Sequence, residues 1–249
     1  MRPGAGPPPP ESGAAGTAAP VAPYESPRSR ARAAGVVLLV IAAFDALALL
    51  TEALQLVVLG RVASGEEVSE ALVSGNDFAF GAVGVLQFVL FVAGAITFIR
   101  WLRRAYGNLP ALGQRTLRRG PGWTIGAWFV PILNLFWPFQ LVGDTWRGSN
   151  PLAPAEGVPD VSRPAVPALV DWWWALWLIT LFLSNAAGRY YFRAEEVEEL
   201  QRGTVLYVVS DATSLVAALL AWQVVRRTTH RQETRAAVVL SFPPPHTAG

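Results

Sequence analysis

The sequence predicts an all-α integral membrane protein with four full transmembrane helices plus one Pro-broken re-entrant or interfacial helical element. Three observations carry that prediction. Of 249 residues, 52% are hydrophobic and only 15% charged, where a soluble domain carries about 25% charge. Four apolar runs are each long enough to cross a hydrocarbon core of about 30 Å at helical rise. A fifth run, Gly122 to Arg147, is equally apolar but interrupted by Pro131 and Pro138, each of which removes a backbone donor and clashes with the preceding turn.

Composition also excludes function classes. All twenty basic residues are Arg, spread over several loops, and the formal charge is +2, so nucleic-acid binding is not expected. The chain has no Cys, hence no disulfide, thiolate nucleophile or thiolate metal site.

Residues 1–33 hold Pro7 to Pro10, Pro20, Pro23 and Pro27 among many Gly and Ala. With so little to bury, they are expected to form a disordered cytoplasmic tail. A cleaved signal peptide is not expected, because the tail is long and the apolar run behind it is of full span length.

The transmembrane domain, residues 34–227, opens with span one, 34–59, which contains Asp45, Glu52 and Gln55. Ser64 and Glu67 have capping-box spacing, so the following loop is expected to hold a short helix ending at Gly75. Span two, 78–99, carries Gly81, Gly84, Gly94 and Ala95 as small residues for close helix approach. Its helix is expected to run on to Tyr106 and stop at Gly107 and Asn108.

The loop from Arg100 to Pro121 is the densest basic stretch of the chain. The broken element, 122–147, and a polar linker follow. Span three, 169–188, is led by Trp172, Trp173, Trp174 and Trp177, residues suited to the membrane boundary. Glu195 to Glu199 read as a helical extension of span four, 205–225, which contains Ser210, Asp211 and Thr213. Residues 228–249 read as a short cytoplasmic tail.

Arginine distribution sets the expected orientation. The N-terminal flank, the loop after span two and the C-terminal flank are basic, and the other two loops are acidic. Short basic loops stay inside, so both termini are expected to be cytoplasmic in a bacterial plasma membrane. Parity then makes 122–147 enter and leave on the cytoplasmic face. The competing reading is a fifth, Pro-kinked span, which would place Arg226 and Arg227 outside.

Trp101, Ala105, Asn108 and Leu109, then Gly122-Trp123, Trp128 to Ile132 with Pro131, Asn134-Leu135, Pro138 and Trp146 resemble domain-of-unknown-function family 4328 of bacterial membrane proteins. The resemblance spans roughly residues 80–225 and is most specific from Trp128 to Pro138. It implies a membrane location and brings no activity with it. Where members often carry Arg before the second Pro, this chain has Trp137.

No catalytic constellation is visible. His230 and His246 lie toward the C-terminus, away from the spans, so neither a His-based triad nor a clustered metal site is expected, and no cofactor. The candidate intramembrane polar site is Asp45, Glu52, Gln87 and Asp211. Asp45 and Glu52 are seven apart and share a helix face. Glu52 and Asp211 fall at similar depth, with Asp45 deeper and near Gln87. Such acids either bond between helices as protonated carboxyls or line a path for protons or cations. Asn134, between the two prolines, either caps freed backbone or joins a site built from broken helix ends.

These features support a non-enzymatic interaction or regulatory membrane module. Its partners would be the lipid bilayer and another membrane protein or a second copy, not nucleic acid. The alternatives are an ion or small-solute transporter, which requires a water-filled cavity at Asp45 or Glu52, and an intramembrane enzyme, which requires two carboxyls sharing a proton.

Overall fold

The computed structural model describes residues 22–114, 116–152 and 166–241. The stretch expected as disordered lies outside the described residues up to residue 21, as do Pro243 to Pro245 and most of the polar linker. Among the described residues there are helices and no strands. Four helices are long and apolar enough to cross a membrane: α1 (Arg28–Ala63), α2 (Glu70–Gly107), α6 (Ala168–Tyr191) and α7 (Val197–Ser241).

Three boundaries differ from the sequence expectation. Helix α1 starts at Arg28, within the stretch expected as tail, because Pro27 needs no donor ahead of a first turn. The capping-box helix at Ser64 does not form. Ser64 instead ends α1, and Ser69 caps α2 by accepting from the Leu72 amide at 3.4 Å, so Gly75 lies inside a continuous helix. Helix α7 runs through the stretch expected as tail. Its 45 residues extend about 67 Å at helical rise, twice the hydrocarbon thickness.

The arginines divide the bundle into two ends. The basic end holds the start of α1, the last turns of α2 and α7, and the start of α6. The acidic end holds the α1–α2 and α6–α7 loops.

Along the bundle, α1 packs on α2 and on α7, and α7 packs on α6. Small buried residues, Ala34, Ala42 and Ala48 on α1 and Ala217, Ala218 and Ala221 on α7, suit the close packing of these two helices. Of the α2 glycines expected to permit close approach, only Gly94 does so. A Cβ there would lie 2.7 Å from the Ile41 Cδ1, whereas Gly81 and Gly84 face open space.

Helices α2 and α6 meet through aromatic rings instead, Phe98 with Trp173 at 5.3 Å near the basic end and Phe80 stacked on Tyr191 at 5.1 Å near the acidic end. Large apolar side chains point outward. Phe78 and Phe88 are 78% and 68% exposed, a surface that suits lipid and not water.

The broken element folds as three pieces, α3 (Trp123–Gly126), α4 (Pro131–Asn134) and α5 (Trp137–Gly148). Both prolines sit in first turns, Pro131 opening α4 and Pro138 following Trp137 in α5. A helix leaves its first amides unpaired, so proline there costs no hydrogen bond. The prolines therefore start helices and do not kink one. Only α5 is long enough to pack as an amphipathic unit, burying Leu141, Val142, Thr145 and Trp146.

Candidate functional site

Two polar centres occupy the interior, separated by an apolar belt. The first contains all four residues of the sequence-derived intramembrane site. Glu52 on α1 and Asp211 on α7 are close neighbours across the two helices. The Nε2 of Gln87 on α2 donates to Asp211 Oδ2 at 2.8 Å and to Asp45 Oδ1 at 3.2 Å, so one amide ties three helices together.

Toward the acidic end the polar side chains continue. Asn76 donates to Gln55, and Gln55 Nε2 reaches Asp77 at 3.5 Å. Asp45, Glu52, Gln55 and Asn76 are buried. Gln87 and Asp211 are half-buried, and two surface hollows at the outer parts of α6 and α7, one beside Tyr190 and Arg202 and one beside Ser184 and Tyr207, are lined by none of the four.

The second centre lies at the basic end, and sequence reasoning missed half of it. Asn108, the C-cap of α2, uses its whole amide. Its Nδ2 donates to the Glu25 carbonyl at 2.7 Å and to Gln232 Oε1 at 3.0 Å, and its Oδ1 accepts from the Glu25 amide at 3.3 Å. Gln232 Nε2 donates to the Ala105 carbonyl at 2.9 Å and to Ser149 Oγ at 3.2 Å. One buried pair thus joins the segment before α1, the end of α2, the end of α5 and the extension of α7.

Around that pair, Trp101 Nε1 donates to Thr229 Oγ1 at 2.9 Å, and Arg235 bonds the Leu112 carbonyl. Arg104 pairs with Glu25 at 2.7 Å and Arg28 with Glu233 at 3.4 Å. Burial lowers the Arg231 and Arg235 pKa values from the guanidinium's ordinary value and raises that of the Tyr106 phenol. The α7 residues of this centre carried no signal in the sequence, because a polar helical face outside a span looks like a solvated tail.

The remaining motif residues build an aromatic wedge beside this centre. Trp128 lies 5.9 Å from Phe98 of α2 and 5.8 Å from Trp177 of α6, ring to ring, and so closes the seam between those helices. Its Nε1 donates to the Thr124 carbonyl at 3.1 Å, and Trp174 Nε1 to the Leu135 carbonyl at 3.2 Å. Backbone freed by the breaks is therefore met by indole N–H groups.

Asn134 does not perform the capping expected of it. It ends α4, and its Oδ1 is buried without a partner. Trp173 and Trp174, expected at the membrane boundary, are buried in the wedge, while Trp172 is 63% exposed. The Arg119 guanidinium stacks 4.1 Å over Trp137.

The stretch that contains the wedge, Trp101, Asn108 and Thr229 matches the family described as Domain of unknown function (DUF4328), over residues 64–230. The chain belongs to this family. No curated protein and no solved structure matches it. In this DUF4328 protein the matched stretch supplies Gln87 and Asp211 to the acid site, whereas Asp45, Glu52 and the rest of α1 precede it.

Proposed function

We propose that this DUF4328 protein is a non-enzymatic interaction or regulatory module of the bacterial plasma membrane, with both termini and the broken element on the cytoplasmic side. The observation that carries the reading is the use of interior polar and aromatic side chains to join chain segments. Motif residues that a transporter would turn toward a cavity instead join chain segments, through Asn108–Gln232 and the Trp128 wedge. The buried acids sit at helix contacts and line neither surface hollow.

Two contacts support cytoplasmic entry and exit of the broken element. The Tyr106 hydroxyl donates to the Arg119 carbonyl at 3.0 Å ahead of the element, and Gln232 holds Ser149 behind it. Both ends thus rest near the last turn of α2. In that orientation the Arg-rich basic end faces the cytoplasm, which agrees with the positive-inside rule.

The Asn108–Gln232 joint makes the module's surface depend on the segment before α1. The test is a reconstituted flux assay paired with site-directed cross-linking in cells. Wild type should show no flux over a panel of protons, sodium, potassium and chloride. In Asn108→Ala a photoreactive side chain at exposed Arg103 should change its cross-linked products. Substrate-saturable flux in wild type would contradict the reading.

A further inference from the structure

We propose that Glu52 and Asp211 form a proton-binding site inside the bundle, reached from the acidic end and closed toward the basic end. A carboxylate only accepts hydrogen bonds, so neighbouring carboxyls can bond one another only if one of them keeps its proton. Glu52 is 2% exposed, and its Oε2 is buried with no donor from the protein. Gln87 gives its two amide hydrogens to Asp211 Oδ2 and Asp45 Oδ1, and so has none left for Glu52. The proton supplies the missing donor.

A metal ion is the poorer ligand here. Among the described residues no three carboxylates or imidazoles are grouped to hold one.

The charged and titratable groups facing the pair come from every helix packed around it. They are Asp45 on α1, Tyr207 on α7, and, farther out, Asp77 on α2 and Tyr191 on α6. None is cationic, so neutralisation falls to the proton.

Access follows from which buried residues are polar. Beyond Glu52 toward the acidic end come Gln55 and Asn76, and then Asp77, which is exposed. In the other direction the buried faces carry Leu38 and Ala42 on α1, Ala217 and Ala221 on α7, and Phe98 on α2. That belt offers a proton no acceptor. The site therefore binds without conducting, and the inference stands whether or not the module reading does.

Infrared spectroscopy of the full chain in lipid nanodiscs tests the site. At neutral pH the wild type should show a protonated-carboxyl stretch that shifts on deuterium exchange. Glu52→Gln, which restores an N–H donor toward Asp211, should abolish it. A neutral-pH spectrum without that band, or a band undiminished in both Glu52→Gln and Asp211→Asn, would overturn the proposal.

The route is tested by rate. Gln55→Leu should slow deuterium exchange of the band at least tenfold, and an unchanged rate would remove Gln55 from the path. Sustained proton flux through wild-type protein in vesicles would overturn closure toward the basic end.

Discussion

Single amides do most of the joining in this molecule, and each can be removed one at a time. Gln232 is fully buried, and its side chain makes three hydrogen bonds, two to the end of α2 and one to the end of α5. Gln232→Ala leaves the Ala105 carbonyl and Asn108 amide short of partners, at a cost of about 1–3 kcal/mol for each buried group left unsatisfied. The expected outcome is a lower thermal midpoint of the detergent-solubilised protein, together with faster proteolysis near Glu25. An unchanged midpoint would remove Gln232 from the joint.

At this scale the sequence was partly legible. Helical rise placed Glu52 level with Asp211, and Asp45 near Gln87, because depth along a span is a matter of counting residues. It did not reveal that Gln87 also reaches Asp211, since rotation about the α2 axis depends on packing against α1. Asn134 misled for a related reason. Indole donors of Trp128 and Trp174, distant in sequence or on another turn, reach the exposed carbonyls, and no local pattern announces them.

Among the elements, the aromatic wedge decides how α2 and α6 stay together. Their backbones do not approach closely, so Trp128 fills a gap between Phe98, Trp174 and Trp177. Trp128→Ala should cost about 3 kcal/mol, the low end for losing a large aromatic, because the ring is only partly buried. Spin labels on α2 and α6 near the basic end should then report a broadened distance distribution. The same labels near Phe80 and Tyr191 should report none, because that contact is independent.

Glycines give a sharper contrast. A Cβ at Gly203 would stand 3.1 Å from the Tyr191 amide nitrogen, and backbone does not yield as a side-chain tip does. Gly203→Ala should destabilise the turn between α6 and α7 by about 1–3 kcal/mol. Gly60, also helical, faces open space, and Gly60→Ala should stabilise by about 0.5–1 kcal/mol. Thermal unfolding of the two variants side by side checks the difference in sign. The existence of the four long helices was legible from their apolar runs, and the stop at Gly107 and Asn108 from residue type. The lengths of α1 and α7 were not, because hydropathy reports where lipid begins and not where a helix ends.

The whole molecule is a bundle polar at both ends of its interior and apolar between. The acidic-end centre ties α1, α2 and α7 side by side, and the basic-end centre ties chain segments end to end. The broken element belongs to the second centre, with Arg119 and Ser149 at its two borders both held near the end of α2. If it stays on one side of the membrane, the four long helices alone set the topology and both chain ends share the cytoplasmic face. If it crosses, the arrangement of the basic end as one surface fails.

Single-cysteine labelling tests this most directly, since the chain has no cysteine of its own. Pro121 and Leu152 are exposed positions flanking the element. They are better sites than Gly148, where a side chain would meet Leu109 at 2.7 Å. Glu196, in the α6–α7 loop, is the reference for the other side. In intact cells an impermeant maleimide should label Glu196→Cys and neither Pro121→Cys nor Leu152→Cys, both of which should label once the membrane is opened. Labelling of only one of the two flanking cysteines in intact cells would show that the element crosses, and would contradict the account.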